Sequence, residues 1–300
     1  MKLFFLACLL TALGVSASAG DAPARPHILG IAHVRFYYAD EGKSTDFYSK
    51  ILGLTSDSTD CKASGRICFP VNATQEIELQ RAPASAPKTW LAEVAFATDD
   101  VAGMKRYLSA HGVSGGAVTT DADQSKHFEV VDPEGNHIAF FQQHAPDAAP
   151  AASANRVSTR LFHAGWVVVD NAKEDRFYRG LLGFRMYWHG GFKDTGTDWE
   201  ELQVPDGSDW IEYMLNISPT ADHQELGVQN HFSLGVTDIK ATRALLTSNG
   251  LKTDDQPEIG RDGKWSFDIY DPDLSRVEFM EYTPAQDPCC HPYEAAHPRP

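Results

Sequence analysis

Apolar residues fall into short runs that recur with the same polar residues at their ends. Between Arg160 and Phe184 the chain reads RLFHAGWVVVDNAKEDRFYRGLLGF. Leu161 to Val169 is a nearly unbroken apolar run rich in β-branched and aromatic residues, which predicts a strand. Asp170-Asn171 marks a turn. Phe177, Leu181 and Leu182 then fall at helical spacing ahead of Gly183, which predicts a short helix closed by a glycine.

The same phrase occurs four times. His33 to Asp40 (HVRFYYAD) matches His163 to Asp170 (HAGWVVVD) at a distance of 130 residues, and Phe47-Tyr48 through Leu54 matches Phe177-Tyr178 through Phe184 without a gap. Two weaker copies are Glu93 to Asp100 (EVAFATDD) and His231 to Asp238 (HFSLGVTD). In each copy a residue able to bind a metal stands seven positions before an aspartate able to cap the following helix. Repetition on this scale sets the architecture before any single residue is interpreted.

The periodicity extends each copy into a module. The first has the His33 strand, a helix over 44–53 and strands near Ile67–Val71 and Glu76–Gln80. The second has the Glu93 strand, a helix over 101–111, strands near Ala117–Thr119 and Phe128–Val131, and a final strand in DPEGNHIAFF. The third has the His163 strand, its helix, strands near Arg185–His189 and Glu200–Val204, and Trp210–Met214. The fourth has the His231 strand, a helix over 239–248, and strands Trp265–Tyr270 and Arg276–Tyr282. The expected plan is α+β: four βαβββ modules paired into two cupped mixed β-sheet domains. The predicted boundaries are 28–143 and 159–283, joined by a linker at 144–158 rich in Ala, Pro and Ser, with a Pro-rich disordered tail at 284–300.

Composition adds a compartment and removes some partners. Lys2, the apolar run Leu3 to Val15 and Ala17-Ser18-Ala19 have the form of a signal peptide over 1–19, cut after Ala19, so the mature chain is expected to be secreted or periplasmic. No other stretch is apolar enough to span a membrane. A formal net charge of −15 argues against nucleic acid or anionic membrane as a partner. A monomer or homodimer acting on a small molecule is the remaining expectation. Cys61 and Cys68 flank a short hairpin and are predicted to form a disulfide, as an exported chain permits. Cys289-Cys290-His291 fits no zinc spacing.

Four βαβββ modules, FYxxxLG after the first strand and DPxGN before the last together resemble the vicinal oxygen chelate superfamily. That superfamily includes glyoxalase I, extradiol dioxygenases, methylmalonyl-CoA epimerase and fosfomycin or bleomycin resistance proteins. The resemblance implies one divalent metal (Zn, Ni, Fe, Mn or Co) in a cupped sheet, held by the starts of the first strands and by the last strands. On this chain those positions are His163, Glu212, His231 and Glu278. The first half offers His33, Glu78 and Glu93, but Ala139 at the fourth position, and is expected to be a degenerate copy. Strand alternation then turns Leu161 and Gly165 to the same face as His163, and adds Trp210, Met214, Ser233, Arg276 and Met280 as substrate-pocket residues. A buried Arg276 requires an anionic partner.

The fold hosts several chemistries. A glyoxalase- or epimerase-like lyase or isomerase needs a carboxylate to move a proton beside a chelated oxygen, and Glu212 and Glu278 supply two. An extradiol-type dioxygenase using non-haem iron would use His163, His231 and Glu278 as a 2-His-1-carboxylate triad. For that reading Glu212 is one ligand too many, and RDGKWSFDIYDP lacks the histidine that group carries there, though Tyr270 is present. A non-catalytic binding or resistance protein would not need the full ligand set.

Overall fold

The computed structural model describes residues 23–56, 61, 65–85, 87–145, 151 and 153–300. The expected signal peptide lies outside these residues, as does part of the expected linker. No helix among the described residues is long and apolar enough to cross a membrane.

The N-terminal half forms β1 (Ile28–Tyr38), α1 (Glu41–Asp46) running into a π-helical turn Phe47–Ile51, β2 (Arg66–Pro70), β3 (Glu76–Arg81), β4 (Leu91–Thr98), α2 (Val101–Ala110), β5 (Thr119–Thr120), β6 (Lys126–Val131) and β7 (His137–Gln142). The C-terminal half repeats this with β8 (Leu161–Val167), α3 (Asn171–Asp175) with its π-helical turn Arg176–Leu181, β9 (Arg185–Gly190), β10 (Trp199–Gln203) and β11 (Trp210–Met214). After these come α4 (His223–Gln229), β12 (His231–Val236), α5 (Ile239–Ser248), β13 (Glu258–Ile259), β14 (Trp265–Tyr270) and β15 (Arg276–Glu281). Two curled mixed sheets result, ordered β2-β3-β1-β4-β7-β6-β5 and β13-β14-β15-β12-β8-β11-β10-β9. The first module shows two strands after its helix among the described residues, rather than three, and α4 stands where periodicity gave no element.

The repeated motifs do the same work in each copy. Asp40, Asp100, Asp170 and Asp238 each accept a backbone N–H of the following helix's first turn, satisfying donors that the helix leaves open. Gly53 and Gly183 adopt φ of 65° and 81°, where only glycine is unstrained, and end the π-helical turns. The tyrosine of each FY pair reaches across to the other half. The Tyr48 hydroxyl donates to Asp271 at 3.2 Å, and that of Tyr178 donates to Asp132 at 3.1 Å. The first module therefore docks on the fourth and the second on the third. Phe36 packs on Phe232 and Phe96 on Phe184 between them, so one apolar core is shared by both halves.

A carboxylate is buried in this core's margin. Glu174 of α3 is fully buried, and its two oxygens lack a hydrogen-bond partner among the described residues. Burial, with Asp132 and Glu134 beside it, raises its pKa from 4.5 to about 8. The folded chain thus keeps a proton that the unfolded chain releases near its ordinary value. The stability this group contributes is present below that value and is lost as pH rises toward 8. Glu174→Gln is expected to raise the thermal midpoint at pH 8, by the equivalent of about 1–3 kcal/mol for a relieved buried group, and to change little at pH 4. Equal shifts at both pH values in differential scanning calorimetry would contradict this.

The C-terminal tail departs from its expected disorder. Tyr293 donates its hydroxyl to the Asp262 carbonyl at 2.9 Å, Glu294 N–H donates to the Tyr187 carbonyl at 2.9 Å, and His297 lies 2.6 Å from the Tyr187 hydroxyl. Proline-rich composition removes regular structure, but it does not prevent packing when aromatic side chains have a wall to fill. Cys61 is joined to Cys68, and Cys289 to Cys290.

A candidate metal centre in the C-terminal cup

Four adjacent strands carry the expected ligands. In the parallel β8–β11 pair, His163 faces Trp210 and Gly165 faces Glu212. In the antiparallel β8–β12 pair, Gly165 faces His231 and His163 faces Ser233. Ser233 in turn faces Glu278 across β12–β15. The four side chains therefore form one row on the concave face. His163 Nε2 lies 3.0 Å from His231 Nε2 and 2.9 Å from Glu278 Oε2, while His231 Nε2 lies 3.1 Å from Glu212 Oε2 and 3.6 Å from Glu278 Oε2. Ligand atoms of His163, Glu212 and His231 fall within 4.8 Å of one another.

Gly165 makes this convergence possible. A Cβ there would collide with Cε1 and Nδ1 of the His231 ring, so the strand that carries His163 must be bare where His231 crosses it. His231 is held from behind, with Nδ1 2.8 Å from the Gln229 carbonyl and Nε2 directed at the cluster. His163 is clamped face to face on Trp210 at 4.9 Å.

Charge in the cluster is divided unevenly. Burial works to raise the carboxyl of Glu278, but His163 at 2.9 Å, the neighbouring His231 and the charge of Arg276 hold it well below its ordinary value. The same opposition, led by His231, lowers Glu212. Burial lowers His163. Both carboxylates are thus kept ionised in a low-dielectric cup. Arg276 finds its anionic partner in Asp268, 3.3 Å from Nη1, and lays Nη2 2.8 Å from His231 Nδ1 and 3.0 Å from His231 Nε2, so a guanidinium also borders this cluster. Asp268 faces Glu278 on the neighbouring strand, and alternation along β14 was the available sign of it.

The alternation rule fails at one point. Ser233 pairs with His163 while Leu234 pairs with Leu161, so β8 carries an extra residue there. This bulge sends Leu161 into the shared core and brings Phe162 to the cup wall, reversing the expected facing. Phe162, Tyr187, Trp210, Met280 and Tyr282 form an aromatic wall that Tyr293 of the tail completes. Of the expected pocket residues, Trp210 and Met280 belong to this packed wall, Met214 is buried at the end of β11, and Ser233 sits between the ligands with an unpartnered hydroxyl. Arg276 pairs with Asp268, which lines open space. A groove of about 460 Å³ lined by Asp255, Gln256, Glu258, Ser266, Phe267, Asp268 and Tyr270 opens on that side. Two further buried ionic groups escaped sequence reasoning. Glu201 faces Glu212 across β10–β11, and Lys264 places Nζ 4.5 Å from the Trp210 ring centre.

In the N-terminal cup His33, Glu78 and Glu93 also converge, with Ala139 in the wall. There the centre is filled by Arg35, which bonds both glutamates.

Two cupped sheets built from repeated modules, one of them carrying a buried histidine–carboxylate row, define the α+β class of the chain. The chain matches the Glyoxalase/Bleomycin resistance protein/Dioxygenase superfamily over residues 30–140 and 160–279 and belongs to it. No curated protein matches the chain. Among solved structures it is similar to homoprotocatechuate 2,3-dioxygenase from Brevibacterium fuscum. In an anaerobic complex of that enzyme with 3,4-dihydroxyphenylacetate the identity is 21%, the match covers 87% of this chain and 82% of that one, and the TM-score is 0.62. A room-temperature structure of the B. fuscum extradiol ring-cleaving dioxygenase gives 20% identity, 87% and 73% coverage, and a TM-score of 0.65.

Proposed function

We propose that the C-terminal cup holds one divalent metal on His163, Glu212, His231 and Glu278, and that the protein is an enzyme of the lyase or isomerase kind. It would move a proton on a small substrate that presents two oxygens. The observation that carries this is the convergence of two imidazole nitrogens and two ionised carboxylates from four adjacent strands. The separations around His163 and His231, 2.9–3.6 Å, are within reach of one first-row ion whose bonds are about 2.1 Å long. Four electron-rich atoms facing one another in a buried site are stabilised by a cation among them. The donor set suits Zn, Ni, Fe, Mn or Co.

When bound, such a metal supplies Lewis-acid polarisation of the chelated oxygens. The remaining work falls to the chain. Glu278, kept ionised by His163, His231 and Arg276, accepts the proton. Glu212 is the second carboxylate, and the Phe162–Trp210 wall excludes water from the tail side.

Gly165→Ala tests the geometry from the backbone side. The new methyl group displaces the His231 ring, so metal content should fall by more than half. Overpacking should cost about 1–3 kcal/mol in thermal stability. Full metal content with a normal melting profile would contradict the placement of His231 against Gly165.

A second reading, extradiol ring cleavage with non-haem iron, is favoured by the likeness to homoprotocatechuate 2,3-dioxygenase. Against it stands Glu212, which adds a carboxylate beside the 2-His-1-carboxylate set. Elemental analysis combined with oxygen uptake on a catechol panel separates the two. Iron with uptake supports ring cleavage; nickel, zinc or cobalt without uptake supports proton transfer. We also propose that the protein is exported with cleavage after Ala19, which N-terminal sequencing of the mature chain checks.

A further inference from the structure

The two cups are related position by position through strand pairing. Arg35 faces Glu78 on β3 and Glu93 on β4, as Gly165 faces Glu212 on β11 and His231 on β12. Ala139 faces Ala95 and Glu129, as Glu278 faces Ser233 and Asp268. The N-terminal cup thus keeps a histidine and two carboxylates at three ligand positions and differs most at the centre. The residue that must be bare in one half is an arginine in the other.

That arginine occupies the middle of the cluster. Its Nε lies 2.6 Å from Glu78 Oε2 and its Nη2 lies 2.8 Å from Glu93 Oε1. His33 Nε2 reaches the same Glu93 oxygen at 3.0 Å, and Arg66 Nη1 lies 3.2 Å from Glu78 Oε2. The side chains of Arg35, Glu78, Glu93 and His33 are all less than one-tenth exposed. His33 also turns Nδ1 toward Glu78 Oε1 at 3.8 Å, so its ring stands between the two carboxylates. Ala32, Ala95 and Ala139 pack together beside the cluster, and the Phe141 ring lies edge-on to His33 at 5.9 Å. Glu78 and Glu93 are buried, and each finds its cation in Arg35. Two buried anions therefore depend on the guanidinium, and a buried carboxylate stripped of its cation is strongly unfavourable.

We propose that the N-terminal cup is a cation site whose resident cation is Arg35. The guanidinium takes the place that a divalent metal would take, so the native chain excludes metal from this half. Removing Arg35 uncovers a metal site made of His33, Glu78 and Glu93. The inference concerns the first half alone and does not require the C-terminal cup to bind metal.

The test uses the full chain with His231→Ala to silence the second cup, and Co(II) as the probe. Cobalt uptake by equilibrium dialysis and the thermal midpoint with and without cobalt are measured for His231→Ala, for Arg35→Ala/His231→Ala, and for the latter with Glu93→Ala added. The expected result is one more cobalt per chain in Arg35→Ala/His231→Ala than in His231→Ala, a midpoint that rises with cobalt only in that variant, and loss of both on adding Glu93→Ala. Arg35→Lys/His231→Ala, which keeps a cation in place, should bind no extra cobalt. If Arg35→Ala/His231→Ala is unfolded in metal-free buffer, cobalt or dilute guanidinium should restore its fold; failure of both to do so would overturn the proposal. So would a folded Arg35→Ala/His231→Ala chain with no extra cobalt, or equal uptake by the Arg35→Lys variant.

Discussion

Glu278→Gln is expected to retain measurable metal and to lose on the order of a hundred- to ten-thousand-fold in kcat, the usual cost of removing a general base. The substitution keeps the shape of the side chain and one coordinating oxygen, but a carboxamide accepts no proton at neutral pH. Glu278 stays ionised, the form a proton acceptor needs, beside His163 at 2.9 Å and in the field of Arg276. Glu212 bonds His231 alone, so Glu212→Gln should lose less. The measurement is turnover of both variants, each corrected for metal content, on whatever substrate the native enzyme accepts. Near-normal turnover in metal-loaded Glu278→Gln would assign the base to Glu212 or shift the chemistry to dioxygen.

His231→Ala is expected to abolish both metal binding and activity, whereas His33→Ala leaves both intact. The asymmetry follows from the two cups. His231 meets His163, Glu212 and Glu278 through one nitrogen, so its loss takes away the atom common to the contacts. His33 stands beside an arginine that already balances its carboxylates. Because a ligand that binds only the folded chain stabilises it by mass action, the native thermal midpoint should fall on chelation. That of His231→Ala should not move. Equal sensitivity of both chains to a chelator would contradict the assignment.

Much of this architecture was legible because the chain repeats itself. Four aspartates seven residues after four ligand-capable positions fixed the helix starts, and all four act as caps. The FY and DP motifs marked equivalent places, although pattern alone gave no sign that Tyr48 and Tyr178 cross to Asp271 and Asp132. Those contacts join residues 223 and 46 positions apart, and only packing of the two halves brings them together. The row His163, Glu212, His231 and Glu278 was found through the family resemblance and converges in space. The wall was misread at Leu161, where a single bulge breaks the period of two. The tail was misread because proline content reports on regular structure and not on burial. Arg35 lay in plain view: HVR stands against HAG in the repeat, and the exchange of glycine for arginine separates the two cups more sharply than the missing ligand at Ala139.

The central claim is that one cup holds a metal and the other does not. It is tested most directly by the metal-to-protein ratio of the native chain, purified without chelator and measured by elemental analysis against a protein concentration from amino-acid analysis. One divalent transition metal per chain is expected. Two per chain would show that Arg35 does not close the N-terminal cup, and none, even after reconstitution with Zn, Ni, Fe, Mn and Co in turn, would contradict the C-terminal metal centre.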